Sequence, residues 1–123
     1  MKILFSVLLS FCLLIPASHA ADAEGNYAVW GAGKKSCFKY NKARAAKEDA
    51  VFINYTKGFI TAYNILIDNT YSLTGMMTID EIMAWMDDYC ETKQTSGYEN
   101  ALLVFIADHE ESRMRRPKQG IGR

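Results

Sequence analysis

The sequence predicts an all-α fold: a single small domain of about four helices with one disulfide, following a cleaved signal peptide. Three observations predict it. Apolar residues recur at three- and four-residue spacing in four separate stretches, with no strand-like alternation. Thr78-x-x-Glu81 and Ser96-x-x-Glu99 have the form of capping boxes, which open helices. The amino-terminal stretch has the layout of an export signal, which places the remaining cysteines in an oxidising compartment.

That first stretch pairs a short positive start, Met1-Lys2, with an apolar run from Ile3 to Ile15 broken only by Ser6, Ser10 and Cys12. Ser18 and Ala20 set small residues at the −3 and −1 positions of a cleavage site after Ala20, and Ala21-Asp22-Ala23 offers a weaker second one. The apolar run is too short for an ordinary membrane span. Phe11 stands before Cys12, where lipid attachment needs a small residue. Residues 1–20 are therefore expected to be a signal peptide, and the protein to be periplasmic or secreted. A chain cut after Ala20 keeps 103 of the 123 residues, enough for one domain. A domain of that size buries about two-thirds of its unfolded surface, so a covalent staple matters to it.

Cys12 leaves with the signal peptide, and Cys37 and Cys90 remain. Two cysteines in an exported chain are expected to pair. A redox-active dithiol is the alternative, but the C-x-x-C spacing is missing.

Residues 21–35 are glycine-containing and aperiodic, and read as an irregular lead-in to a helical domain over 36–112. Within them, Gly33-Lys34 resembles part of a phosphate-binding loop. Position 28 is alanine and position 35 is lysine where that loop needs glycine and a hydroxyl residue, so the match fails. Ser36 is instead an N-cap for a helix through about Lys47, with Cys37, Tyr40 and Arg44 on one side.

The second helix is expected from about Glu48 to Asp68. Phe52, Tyr55, Phe59, Ala62, Tyr63 and Leu66 form one apolar stripe, and Ile53, Ile60 and Ile67 a second. Two stripes predict a central helix buried on more than one side. Gly58 in its middle predicts a close neighbour. Asn64, inside this buried helix, needs a polar partner such as a loop backbone group or Tyr71, so Tyr63 and Asn64 are read as a structural polar pair.

A loop over Asn69–Met77 leads to the Thr78 capping box and a third helix, with Ile79, Ile82, Met83, Met86, Tyr89 and Cys90 apolar. The Ser96 box opens the last helix, with Tyr98, Ala101, Leu102, Phe105 and Ile106 facing inward. Beyond Ser112 the pattern stops, and 113–123 reads as a flexible basic tail.

Charge and composition exclude several functions. Without Lys2, thirteen basic residues face fourteen acidic ones, which does not point to a nucleic-acid partner. The charges are segregated into a basic stretch over Lys34–Lys47 and an acidic one over Asp80–Glu91. These are solvated helix faces, or else surfaces for a partner of opposite charge. His109 is the one histidine after Ala20 and is followed by no H-E-x-x-H pattern, so histidine-based metal or acid–base sites are not expected. Asp87 and Asp88 are adjacent on a helix and diverge, so they form no catalytic dyad. No G-x-S-x-G is present. The chain is expected to be no enzyme, and to carry no cofactor or metal. Trp30, Trp85, Asp87 and Asp88 are the candidate partner-binding residues.

Trp30-Gly31-x-Gly33, Ser36-Cys37, Gly58-Phe59-Ile60-Thr61-Ala62-Tyr63-Asn64 and Trp85-x-x-x-Tyr89-Cys90 together resemble small secreted helical bacterial proteins. The layout is similar to Hde-type acid-stress periplasmic chaperones and to Rap/Tai-type immunity proteins of type VI secretion. The resemblance implies an all-helical fold, a cysteine staple, a periplasmic home, homodimerisation and no catalysis. It yields one leading expectation, an exported protein that binds a protein partner as an immunity protein does. The alternative is an acid-stress chaperone that captures protein clients.

Overall fold

The computed structural model describes residues 21–116. Residues 1–20, where the signal peptide is expected, and 117–123 lie outside the described residues. Four α-helices follow in chain order: α1 (Cys37–Ala46), α2 (Ala50–Leu66), α3 (Ile79–Thr92) and α4 (Tyr98–Asp108). A 3-10 turn, Gly31–Lys34, precedes them, and another, Glu110–Ser112, follows. The described residues contain no β-strand, only two isolated bridges. No helix among them is long and apolar enough to cross a membrane.

Local chemistry sets the helix ends. Ser36 accepts a hydrogen bond from the Lys39 amide and opens α1. Lys47, at φ +57°, closes it. The amides of Glu48 and Lys47 donate back to Ala43 and Arg44, the pattern by which a left-handed residue satisfies the last free carbonyls of a helix. Thr78 and Glu81 form the capping box at α3: the Thr78 amide donates to the Glu81 carboxylate at 2.6 Å, and the Glu81 amide to Thr78 Oγ1 at 3.3 Å.

The second expected capping box does not form. Gly97 is the N-cap of α4 and no side chain caps it. Glu99 is instead about nine-tenths buried and accepts a 2.7 Å hydrogen bond from the Tyr27 hydroxyl. The start of α4 gains its partner from elsewhere. The Tyr98 amide donates to the Lys35 carbonyl, while those of Cys37 and Phe38 donate to the carbonyls of Ser96 and Gln94. The first turn of α1 and the entry to α4 thus satisfy each other's free backbone groups.

Cys37 and Cys90 are bonded, with Cα atoms 4.9 Å apart, and join the first turn of α1 to the last turn of α3. Beside the disulfide, Asn41 donates to the Cys90 carbonyl. Tyr40, Phe52 and Tyr98 form a ring cluster with centroids 4.8 to 5.3 Å apart. All three are at most 2 % exposed, and their burial supplies several kcal/mol of hydrophobic stabilisation, at about 2 to 3 kcal/mol for each large side chain. Their polar ends are satisfied: Tyr40 donates to Asp87 Oδ1 at 2.6 Å, and the Tyr98 and Thr56 hydroxyls lie 2.7 Å apart.

The second helix departs from expectation in four ways. It starts and stops two residues inside the expected bounds. Its buried line is Phe52, Thr56 and Ile60, with Tyr55, Phe59 and Tyr63 half-buried beside it. A threonine stands where an apolar stripe skips, because its hydroxyl has Tyr98 as a partner. The helix is also not central: Ile65 and Leu66 are more than three-quarters exposed, and Ala62 is exposed too. Nor does Gly58 mark a close neighbour, since a Cβ there would meet nothing within 4 Å. The tight approach lies at Gly33, where a Cβ would fall on the Tyr55 ring and hydroxyl.

The 67–78 loop is pinned from two sides. The Leu73 amide donates to Asn64 Oδ1 at 2.8 Å. Ser72 exchanges backbone hydrogen bonds with Met114, which is half-buried although it falls in the segment expected to be a loose tail.

Candidate binding cleft

Tyr55, Phe59 and Tyr63 stand four residues apart along α2, so they share one face. Their rings overlap in sequence, with centroids 6.0 and 5.1 Å apart. Opposite them, Glu99 and Leu103 share a face of α4, and the extended segment Tyr27-Ala28-Val29 supplies a third wall. Together they enclose an open cleft of about 440 Å³. The Gly33–Tyr55 contact sets how near the 3-10 turn comes to α2.

The electrostatics of the cleft come from one carboxylate. Glu99 accepts from Tyr27, and that hydrogen bond holds the Tyr27 hydroxyl above its ordinary pKa. Tyr55 and Tyr63 are also held up, by burial first and then by the negative charge of Glu99. All three phenols therefore stay protonated at neutral pH. Both ion pairs found among the described residues belong to Arg44, so Glu99 takes part in neither.

The residues singled out from sequence fall in separate places. Trp30 is three-quarters exposed, directly after the Tyr27–Val29 wall, with the Lys34 ammonium 5.2 Å from its ring centre. Trp85 is half-buried, stacked on Tyr89 at 5.2 Å and edge-on to Phe105 and His109. His109 ends α4, its Nδ1–H donating to the Phe105 carbonyl at 2.8 Å. Asp87 is engaged within the fold, receiving Arg44 Nε at 2.8 Å and the Tyr40 hydroxyl on Oδ1, with Arg44 Nη2 on Oδ2. Burial pushes the Asp87 carboxyl up, but these bonds outweigh it and hold the pKa below the ordinary value. Arg44 also reaches Asp49 at 2.7 Å, linking α1, α3 and the start of α2. Asp88 is exposed. Tyr63 lines the cleft, whereas Asn64 faces the loop through Leu73.

Sequence reading missed Glu99 and the Tyr55–Phe59–Tyr63 wall as site residues. Spacing assigns Glu99 to a capping box and the aromatic ladder to a core stripe. Tyrosines at two of its three positions were the available signal, because a phenol seeks a wet or polar end.

A second apolar area lies at the far end of α2. Ile65, Leu66, Met76 and Tyr71 are exposed there, beside a shallow cleft that Met77 and Met114 also line.

No group of three or more histidine, cysteine or acidic side chains converges as a metal site among the described residues. No known protein family matches this chain, and neither does any curated protein or solved structure.

Proposed function

We propose that this chain is an exported, non-catalytic helical protein that binds a protein partner in the periplasm or outside the cell, in the manner of an immunity protein. The observation that carries this reading is a pair of exposed aromatics, Tyr27 in the wall of the Glu99 cleft and Trp30 just after that wall in the chain: Tyr27 is 56 % exposed and Trp30 75 %. Tyrosine and tryptophan are the side chains that most often anchor protein interfaces, because they bury a large area at low entropic cost. Tyr27 is held to α4 by its hydrogen bond to Glu99, and Trp30 leads directly into the 3-10 turn, which lowers the ordering cost of binding. The basic residues that follow, Lys34 and Lys35, are exposed and complement an acidic partner.

The test is in-cell cross-linking of the oxidised protein in its native host, followed by affinity measurement with the partner so identified. Trp30→Ala and Tyr27→Ala each weaken that affinity by about tenfold or more, as truncating an interface anchor does. A partner bound equally well by both variants removes the cleft from the account.

The exposed tip of α2 supports the acid-stress chaperone as the second reading, since Ile65, Leu66 and Met76 offer apolar surface to an unfolded client. That reading requires suppression of client aggregation below about pH 4, where carboxylates lose their charge, and loss of it on Ile65→Gln with Leu66→Gln.

A further inference from the structure

The Glu99 cleft has a composition that says more than "apolar". Its lining includes the rings of Tyr55, Phe59 and Tyr63 beside Val29 and Leu103, and its single charged group is a carboxylate about nine-tenths buried. That carboxylate has one hydrogen-bond partner, the Tyr27 hydroxyl on Oε1, and takes part in neither of the ion pairs among the described residues. Glu99 stands in the first turn of α4, whose N-terminal dipole offsets part of the cost of burying a carboxylate, but no ion pair completes the compensation. Aromatic faces carry negative quadrupole charge, so they add to the carboxylate's field instead of cancelling it. A cation placed between them gains from both. A hard metal ion does not suit the site, because it needs six or more oxygen ligands and the cleft holds one carboxylate.

We propose that the Glu99 cleft binds an alkylammonium group, primary or methylated, seated against the rings of Tyr55, Phe59 and Tyr63 with Glu99 as its counter-ion. The proposal builds on the reading of this cleft as the binding site, and it is tested without the partner. Two sources supply the same chemistry. One is external, a lysine side chain of the partner or a free amine. The other is internal: Ala21 lines the cleft, and cleavage after Ala20 would leave its α-ammonium there.

The experiment uses oxidised chain beginning at Ala21, with a free or an acetylated amino terminus, titrated by NMR with choline and with n-butylammonium. The neutral alcohol 3,3-dimethylbutan-1-ol, which has the shape of choline, is the control. Both cations shift the Tyr55 and Tyr63 ring resonances saturably, at least about tenfold more tightly than the alcohol, and Glu99→Gln abolishes that preference while retaining an acceptor for Tyr27. Equal binding by the free and acetylated chains assigns the site to an external ammonium. Binding by the acetylated chain alone, with an Ala21 amine whose titration moves on Glu99→Gln, assigns it to the chain's own terminus. If neither form binds the cations, or the alcohol binds as tightly on the wild-type chain, the proposal is overturned. The alcohol comparison holds even if Glu99→Gln does not fold. Failure here with a partner still lost on Trp30→Ala would leave partner binding standing and remove only the ammonium.

Discussion

The two ends of α2 present apolar side chains to solvent in different ways. At the cleft, half-buried rings lean on a core in which the disulfide, the Tyr40–Phe52–Tyr98 cluster and the α1–α4 backbone hydrogen bonds converge. At the far tip, Ile65 and Leu66 are exposed, next to a loop held by the Asn64–Leu73 bond and the Ser72–Met114 bridge. Both are apolar, but only the first is backed by the disulfide-stapled core and lined by a charged group, Glu99. A preformed wall lowers the ordering cost of binding, whereas a loosely covered tip retains it. Exposure alone therefore does not mark the better site.

The comparison breaks most visibly at the disulfide. Replacing Cys37 and Cys90 with alanine frees a loop spanning 53 residues, for which the chain-entropy estimate is about 4 kcal/mol. Denaturant unfolding of that variant is expected to show most of this loss, and the cleft rings to lose their distinct NMR environments. Gly33→Ala comes next. Its Cβ meets Tyr55 and Val29, so overpacking is expected to cost about 2 kcal/mol and to push apart the two walls of the cleft.

At the tip, Asn64→Ala leaves the Leu73 amide without its acceptor. The expected loss is about 1 kcal/mol, with faster hydrogen exchange confined to 72–74. Asp87→Asn weakens the Arg44 and Tyr40 bonds in a partly exposed setting, again at about 1 kcal/mol. The sign of its pH dependence follows from the lowered Asp87 pKa. The charge stabilises the fold above the unfolded carboxyl value of about 3.9, and this is lost only as pH falls through the lower folded value. Melting temperatures of the two proteins should thus differ by a constant amount from pH 7 to about 5, and converge below about 4. Gly58→Ala is the smallest effect and has the opposite direction. With open space at its Cβ, alanine is expected to raise stability by about 0.5 to 1 kcal/mol.

These positions also show which parts of the fold were legible in the sequence. The helices, the Ser36 cap, the Thr78 capping box and the Cys37–Cys90 bond depend on near neighbours or on a choice among few cysteines, and spacing reveals such features. Gly58 and Gly33 could not be told apart by spacing, because what lies opposite a glycine is a tertiary fact. Ser96-x-x-Glu99 has the letters of a capping box, yet Tyr27, seventy-two residues earlier, claims the carboxylate. The stripe on α2 was displaced by one residue for a similar reason: Thr56 enters the core through a hydroxyl on another helix. The cleft stayed hidden because its walls come from three segments that meet only in the folded chain.

Amide hydrogen exchange of the oxidised chain from Ala21, followed residue by residue near neutral pH, tests most directly whether the cleft is preformed. The amides of Cys37, Phe38 and Tyr98, which tie the start of α1 and the residue after the 3-10 turn to the entry of α4, are expected to exchange only through global unfolding. Those of Ser72, Leu73 and Met114 are expected to exchange about a hundredfold faster through local opening. Equal rates at the two ends, or faster exchange on the cleft side, would contradict the account.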